Sequence, residues 1–167
     1  MHAIDQIPPF PVASEGEVHV VIDTPKGSRN KVKWDPRLGV FKLSHVLSPG
    51  ATFPCDFGFV PGTCAPDGDA VDVLVLTDAP LFTGCLLVAR LIGGLEAEQT
   101  QDGTTFRNDR LLAVASASRQ HESVREIDDL PPGFMEQIEQ FFVGYNELRG
   151  RVSSRSAGCG PIRRRRS

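Results

Sequence analysis

The segment Ala65-Pro66-Asp67-Gly68-Asp69-Ala70-Val71-Asp72-Val73-Leu74-Val75-Leu76 carries three carboxylates within six residues. Asp67 and Asp69 flank a glycine that permits a sharp turn, so their side chains can converge. Asp72 interrupts what is otherwise an apolar run. Three close carboxylates repel one another unless a cation neutralises them, and hard oxygen donors suit Mg2+ or Mn2+. An EF-hand does not match, because its required sixth-position glycine would fall on Asp72. A solvated surface turn accounts for Pro66-Asp67-Gly68 alone, but not for an acid set into an apolar strand. A second group is basic. Lys26, Arg29, Lys31 and Lys33 lie within eight residues, just after Asp23. On a strand, Lys31 and Lys33 share a face. Beside a carboxylate-bound metal they suit a phosphate-rich anion. Lysines also protect an edge strand, and this segment alone fits both readings.

The elements that must hold these residues are mostly strands. Val18, Val20 and Ile22 alternate with His19, Val21 and Asp23 at a period of two. Turn formers crowd residues 25–30. Strands are expected at 31–34, 41–47, 55–60, 71–77 and 111–115, with a long strand over 84–98 bent at Gly93-Gly94. Residues 1–14, with three prolines, read as a loose or extended lead-in. The main helix is expected at 132–148, with Asp129 as N-cap and Pro131 and Pro132 in or near the first turn. Phe134, Ile138, Phe141, Phe142, Tyr145 and Leu148 give it one apolar face, and Gly150 suits its C-terminal end. The class is β-rich α+β: a barrel or sandwich packed against at least one helix.

Of 167 residues, 21 are acidic and 18 basic, a formal charge of −3. The charge is divided. Residues 149–167 hold seven arginines and no acid, leaving −10 on the first 148 residues. The expected organisation is one domain over 1–148, followed by a flexible arginine-rich tail over 149–167. No run approaches the ~20 apolar residues that span a bilayer, so no membrane partner is expected. The N-terminal residues lack the layout of a signal peptide. Cys55, Cys64, Cys85 and Cys159 show no metal-type pairing, and a reduced, cytoplasmic setting is the expectation. An acidic body with one Trp and one Tyr argues against nucleic-acid binding there, leaving the tail as the segment suited to a polyanion.

At this point several segments resemble the soluble family I inorganic pyrophosphatases. Residues 20–31 (VVIDTPKGSRNK) are similar to that family's opening strand and turn, and Phe53-Pro54-Cys55-Asp56-Phe57-Gly58-Phe59 to its aromatic-proline segment. Residues 67–74 (DGDAVDVL) are very close to its signature, and Phe141-Phe142-x-x-Tyr145 resembles its last helix. The matches are collinear over residues 17–148. The resemblance implies a small closed OB-like β-barrel with flanking helices and Mg2+-dependent hydrolysis of pyrophosphate, with Mn2+ or Zn2+ as substitutes, in a homo-oligomer. It implies that Asp67 and Asp72 ligate metal, that Asp69 accepts the proton of the attacking water, and that Asp23 acts in the outer metal shell. Lys31, Arg110 and Tyr145 would bind phosphate oxygens. Further metal carboxylates would come from Glu98, Asp102 and Asp109.

The departures from the family pattern point to a divergent branch. Lys33 stands where the family usually has Glu, and His45 where it has a phosphate-binding Arg. Both are kept as substrate-binding candidates. Phe53 and Phe57 replace frequent tyrosines, and Asn146 a lysine. Two other readings remain: hydrolysis of a different phosphoanhydride on the same scaffold, or a non-catalytic barrel binding a polyanion.

Overall fold

A computed structural model of the chain describes residues 2–101, 103–107, 109–148 and 152–155; at 97–101, 105–107, 148 and 152–155 it describes the backbone alone. Asp102 and Gly150 lie outside the described residues. The strands in chain order are β1 (Glu17–Thr24), β2 (Asn30–Asp35), β3 (Val40–Val46), β4 (Asp56–Val60), β5 (Val71–Leu76), β6 (Leu86–Leu95), β7 (Ala97–Gln101), β8 (Thr104–Arg107), β9 (Arg110–Ala115) and β10 (Val152–Arg155). Five of them close a barrel in the order β1-β4-β5-β9-β6. β2 and β3 form a hairpin, and β10-β7-β8 a small third sheet. The one α-helix among the described residues is α1 (Phe134–Leu148). The expected closed barrel with a C-terminal helix is present, and no described helix is long and apolar enough to cross a membrane.

Both faces of the barrel strands are buried, which is why β5 and β9 read as nearly continuous apolar runs. Val18, Val20 and Ile22 of β1 meet Val73 and Val75 of β5 and Ala113 and Ala115 of β9 in one cluster. The alternate residues Leu74, Leu76, Leu112 and Val114 face the other way, onto Ile138, Phe142 and Tyr145 of α1. β5 and β9 run parallel with Leu74 beside Leu112. The period of two therefore places Asp72 and Arg110 side by side at the start of the helix-facing rows.

Irregularities fall at informative places. β1 shifts register against β4 between Ile22 and Thr24, so Asp23 is the extra residue of a bulge. β6 shifts against β9 between Leu91 and Gly93, close to the expected bend. A Cβ at Gly93 would run into the end of the Ile127 side chain, which would have to turn aside. The long strand expected over 84–98 is two elements, β6 and β7, and the β7–β8 hairpin turns through Gly103 at φ 76. In the tail, Val152–Arg155 pairs antiparallel with β7.

The helix begins later than expected. Gly133 has φ 83, which is not helical, and α1 starts at Phe134. Asp129 is not its N-cap: its carboxylate accepts from the Arg125 and Glu126 N–H groups at 2.8 and 3.2 Å and closes a 3-10 turn, Ile127–Asp129. The lead-in is also more structured than its prolines suggest. Ala3–Gln6 forms a 3-10 turn, and Trp34 Nε1 donates to Asp5 Oδ1 at 3.1 Å.

Candidate active site

The β1 bulge and β2 bring together a buried ion pair. Lys31 Nζ lies 2.9 Å from Asp23 Oδ1 and donates to Thr24 Oγ1 at 3.3 Å. Lys31 is 7% exposed and Asp23 3%. The ammonium sits 3.8 Å from the Phe57 ring centroid and 5.8 Å from that of Phe53. Phe57, lacking a tyrosine hydroxyl, thus contributes a ring face to the cation. Burial pushes Asp23 up and Lys31 down, and the attraction between the two opposes both shifts.

Asp72 shares this environment. Burial raises its carboxyl to about 6, while Arg110 first and Lys31 next pull it back down. Arg110 is 4% exposed and stacks over Phe142 of α1, its guanidinium carbon 4.0 Å from the ring centroid. Tyr145, one turn further along α1, packs among Phe53, Phe141 and Phe142. It also meets His45 edge-on, with ring centroids 6.4 Å apart. His45 is the register partner of Lys31 across the hairpin, so β2 and β3 present both side chains on one face.

The acidic loop is different in character. Gly68, at φ 88, allows the turn in which the Asp69 N–H donates to Asp67 Oδ1 at 3.0 Å. Asp69 Oδ2 lies 2.6 Å from Lys33 Nζ, and both side chains are about half exposed. Lys33, whose charge also acts on Asp72, thus links Asp69 to that group, whereas Asp67 accepts a hydrogen bond within its own loop. Asp109 is exposed, and Glu98 is described by its backbone in β7 alone.

No group of three His, Cys, Asp or Glu side chains among the described residues is gathered tightly enough to hold one cation. The donor chemistry nevertheless fits a hard divalent cation. Asp67, Asp69 and Asp72 supply only carboxylate oxygen, and Asp72 carries a negative charge that the protein by itself solvates poorly.

Two residues that the sequence reading passed over support the arrangement. Thr24 Oγ1 accepts from the Val32 N–H and donates to the Val32 carbonyl, which ties β1 to β2 beneath Lys31. Asp56, fully buried, accepts from the Lys26 N–H at 2.8 Å and from Thr77 Oγ1, fixing the 25–30 turn. A buried polar residue just beyond Asp23, and an acid opening an apolar strand, were the available signals.

The profile of the inorganic pyrophosphatase family matches residues 20–161. The chain belongs to that family. Its activity is inorganic diphosphatase, the hydrolysis of inorganic pyrophosphate. It is 36% identical over 150 residues to the inorganic pyrophosphatase of Synechocystis sp., covering 90% of this chain and 85% of that relative. To the inorganic pyrophosphatase of Thermus thermophilus it is 39% identical over 135 residues, or 80% and 74% of the two chains. The crystal structure of the Thermus thermophilus pyrophosphatase superimposes with a TM-score of 0.82 at 32% identity, covering 92% of this chain and 87% of that one. Within this pyrophosphatase fold, the charged residues above stand where the β5–β9 rows meet α1 and the β2–β3 hairpin.

Proposed function

We propose that the chain hydrolyses inorganic pyrophosphate with a divalent metal, Mg2+ first and Mn2+ or Zn2+ as substitutes, held by Asp67 and Asp72. A bound metal of this kind supplies positive charge for phosphate oxygens and lowers the pKa of water. Asp69, half exposed on the acidic turn, takes the proton of the attacking water. Water oxygen bonds to one phosphorus, the bridging P–O bond breaks, and two phosphates leave.

Lys31, Arg110 and Tyr145 bind the phosphate oxygens, with Lys33 and His45 at the outer edge. Burial makes the two fixed cations effective, because attraction between charges strengthens as the local dielectric falls. In-line displacement needs mainly positioning and neutralisation of charge, and strand-borne groups supply the positioning. Asp23 holds the Lys31 ammonium in place from the bulge. Further ligands would come from Glu98, Asp102 and Asp109.

The supporting observation is the buried cation pair, Lys31 and Arg110, flanking Asp72 beside an acidic turn. Phosphate release from pyrophosphate with Mg2+, measured for the wild type and Asp69→Asn, tests the assignment. Loss of activity in the variant is expected; equal rates in both would overturn it.

The catalytic unit is residues 1–148, with β10 of the arginine-rich segment paired on β7 and the arginines beyond it suited by charge to a polyanion or a neighbouring subunit. Exposed Leu38, Val40, Leu43 and Val46 on and beside the β2–β3 hairpin support a homo-oligomer. A cytoplasmic setting accords with the free thiols of Cys55, Cys64 and Cys85.

A further inference from the structure

Lys33 and Asp69 lie 36 residues apart in sequence, yet their charged atoms are 2.6 Å apart. The contact joins β2 to the acidic turn. Its charge is felt beyond Asp69: the Lys33 ammonium also acts on Asp23, Lys31 and Asp72. Around the site stand the carboxylates Asp23, Asp67, Asp69 and Asp72 and the cations Lys31, Lys33 and Arg110. Lys31 is committed to Asp23 and Arg110 acts first on Asp72. Lys33 is therefore the cation assigned to the turn.

We propose that Lys33 is a tethered cation that competes with divalent metal for the Asp67–Asp69 turn and so sets how tightly, and with how many ions, the site loads. This rests on the reading that Asp67 and Asp72 hold metal, with Asp69 beside them as the proton acceptor. An ammonium held on Asp69 and a divalent ion held by Asp67 and Asp72 disfavour one another by charge repulsion, and Asp69 cannot turn toward the metal while it pairs with Lys33. The pair is half exposed, so it is weak enough to open when metal arrives. A buried pair such as Lys31–Asp23 could not exchange in this way without leaving a bare charge in the interior. Lys33 holds Asp69 toward β2, while Asp67 accepts from the Asp69 N–H.

The test is direct metal binding without pyrophosphate. Mn2+ is titrated into the metal-free full chain, with free Mn2+ read by electron paramagnetic resonance, for the wild type and for Lys33→Arg, Lys33→Gln and Lys33→Glu. Lys33→Gln is expected to bind about fivefold more tightly, the range of an exposed pair. Lys33→Glu is expected to tighten further or to gain an ion, and Lys33→Arg to match the wild type. The differences should shrink as salt is raised, because the Lys33 charge is exposed. Thermal melts in chelator confirm that each variant folds. If Lys33 instead acts only on substrate, Lys33→Gln raises the KM for pyrophosphate and leaves Mn2+ binding unchanged, which overturns the proposal. Asp72→Asn separates the two levels of the argument. Binding that is lost in Asp72→Asn but indifferent to Lys33 substitution overturns this inference alone, whereas no binding by any protein overturns the metal reading itself.

Discussion

Asp72 should make the metal-free protein less stable than it would be with a neutral side chain there. Burial raises its carboxyl from 3.8 to about 6, despite the pull of Arg110 and Lys31. Below pH 3.8 the group is protonated in both folded and unfolded chains, and it contributes nothing to the pH dependence. As pH rises toward 6 the unfolded chain releases this proton first, so stability falls. Above about 6 the cost is complete. At about 1.36 kcal/mol per pKa unit, the rise amounts to about 3 kcal/mol at most. Asp72→Asn keeps the shape of the protonated acid and removes the titration. In urea denaturation with chelator at pH 7.5, the variant is expected to exceed the wild type by up to about 3 kcal/mol, at an unchanged m-value. The gain should shrink to about 0.5 kcal/mol by pH 4. Metal at a thousandfold its Kd reverses the comparison, since it stabilises the wild type by about 4.1 kcal/mol. An Asp72→Asn protein less stable than wild type in chelator at pH 7.5, or a difference that does not vary between pH 4 and 7, refutes the reasoning. Either result would mean that Arg110 fully compensates the buried charge.

Two further outcomes test the frame around the site. Lys31→Met removes the cation facing Asp23 and leaves that carboxylate buried; a loss of about 3–5 kcal/mol in chemical denaturation is expected. Asp23→Asn in the same background should recover part of it. Gly93→Ala drives a methyl into the end of the Ile127 side chain and should cost about 1–3 kcal/mol by thermal or urea melts. Ile127→Ala in that background should remove most of this clash.

The parts of the site that were legible in the sequence are those fixed by local chemistry. An acid-glycine-acid turn must bend sharply, and an acid in an alternating apolar strand must take a side; both properties belong to a few adjacent residues. The strands showed for the same reason, since β1 and β5 are rich in β-branched side chains and β9 is a short apolar run. What could not be read depends on distant partners. The Asp23 bulge exists because β1 must pair with β4 on one side and approach Lys31 on the other. The Lys33–Asp69 contact spans 36 residues and has no periodic signature. The helix start was misplaced because Asp129 is equally suited to close a 3-10 turn, and nothing local reveals that Gly133 takes a positive φ. The β7–β8 hairpin lacks apolar alternation, so the sequence offered only Gly103 as a marker.

The barrel divides the site's charges into two kinds, and the division is what a phosphoanhydride requires. Asp23, Asp72 and Arg110 lie on strands whose remaining residues are mostly core, and Lys31 is locked to Asp23 by a buried ion pair. Their positions are therefore as rigid as the packing of Leu74 and Leu112 against α1, and their fields act in a poorly solvated setting. Asp67, Asp69 and Lys33 stand on an exposed turn and an exposed strand face, where their charges can rearrange at small cost. A substrate carrying several negative charges must be held by fixed cations, yet its charge changes as water adds and the bridge breaks. Rigid cations on the strands serve the first need, and a carboxylate released from Lys33 as metal binds serves the second. Substitutions in the strand-borne group should thus alter stability and rate together, while those on the turn alter metal dependence and rate with the fold intact.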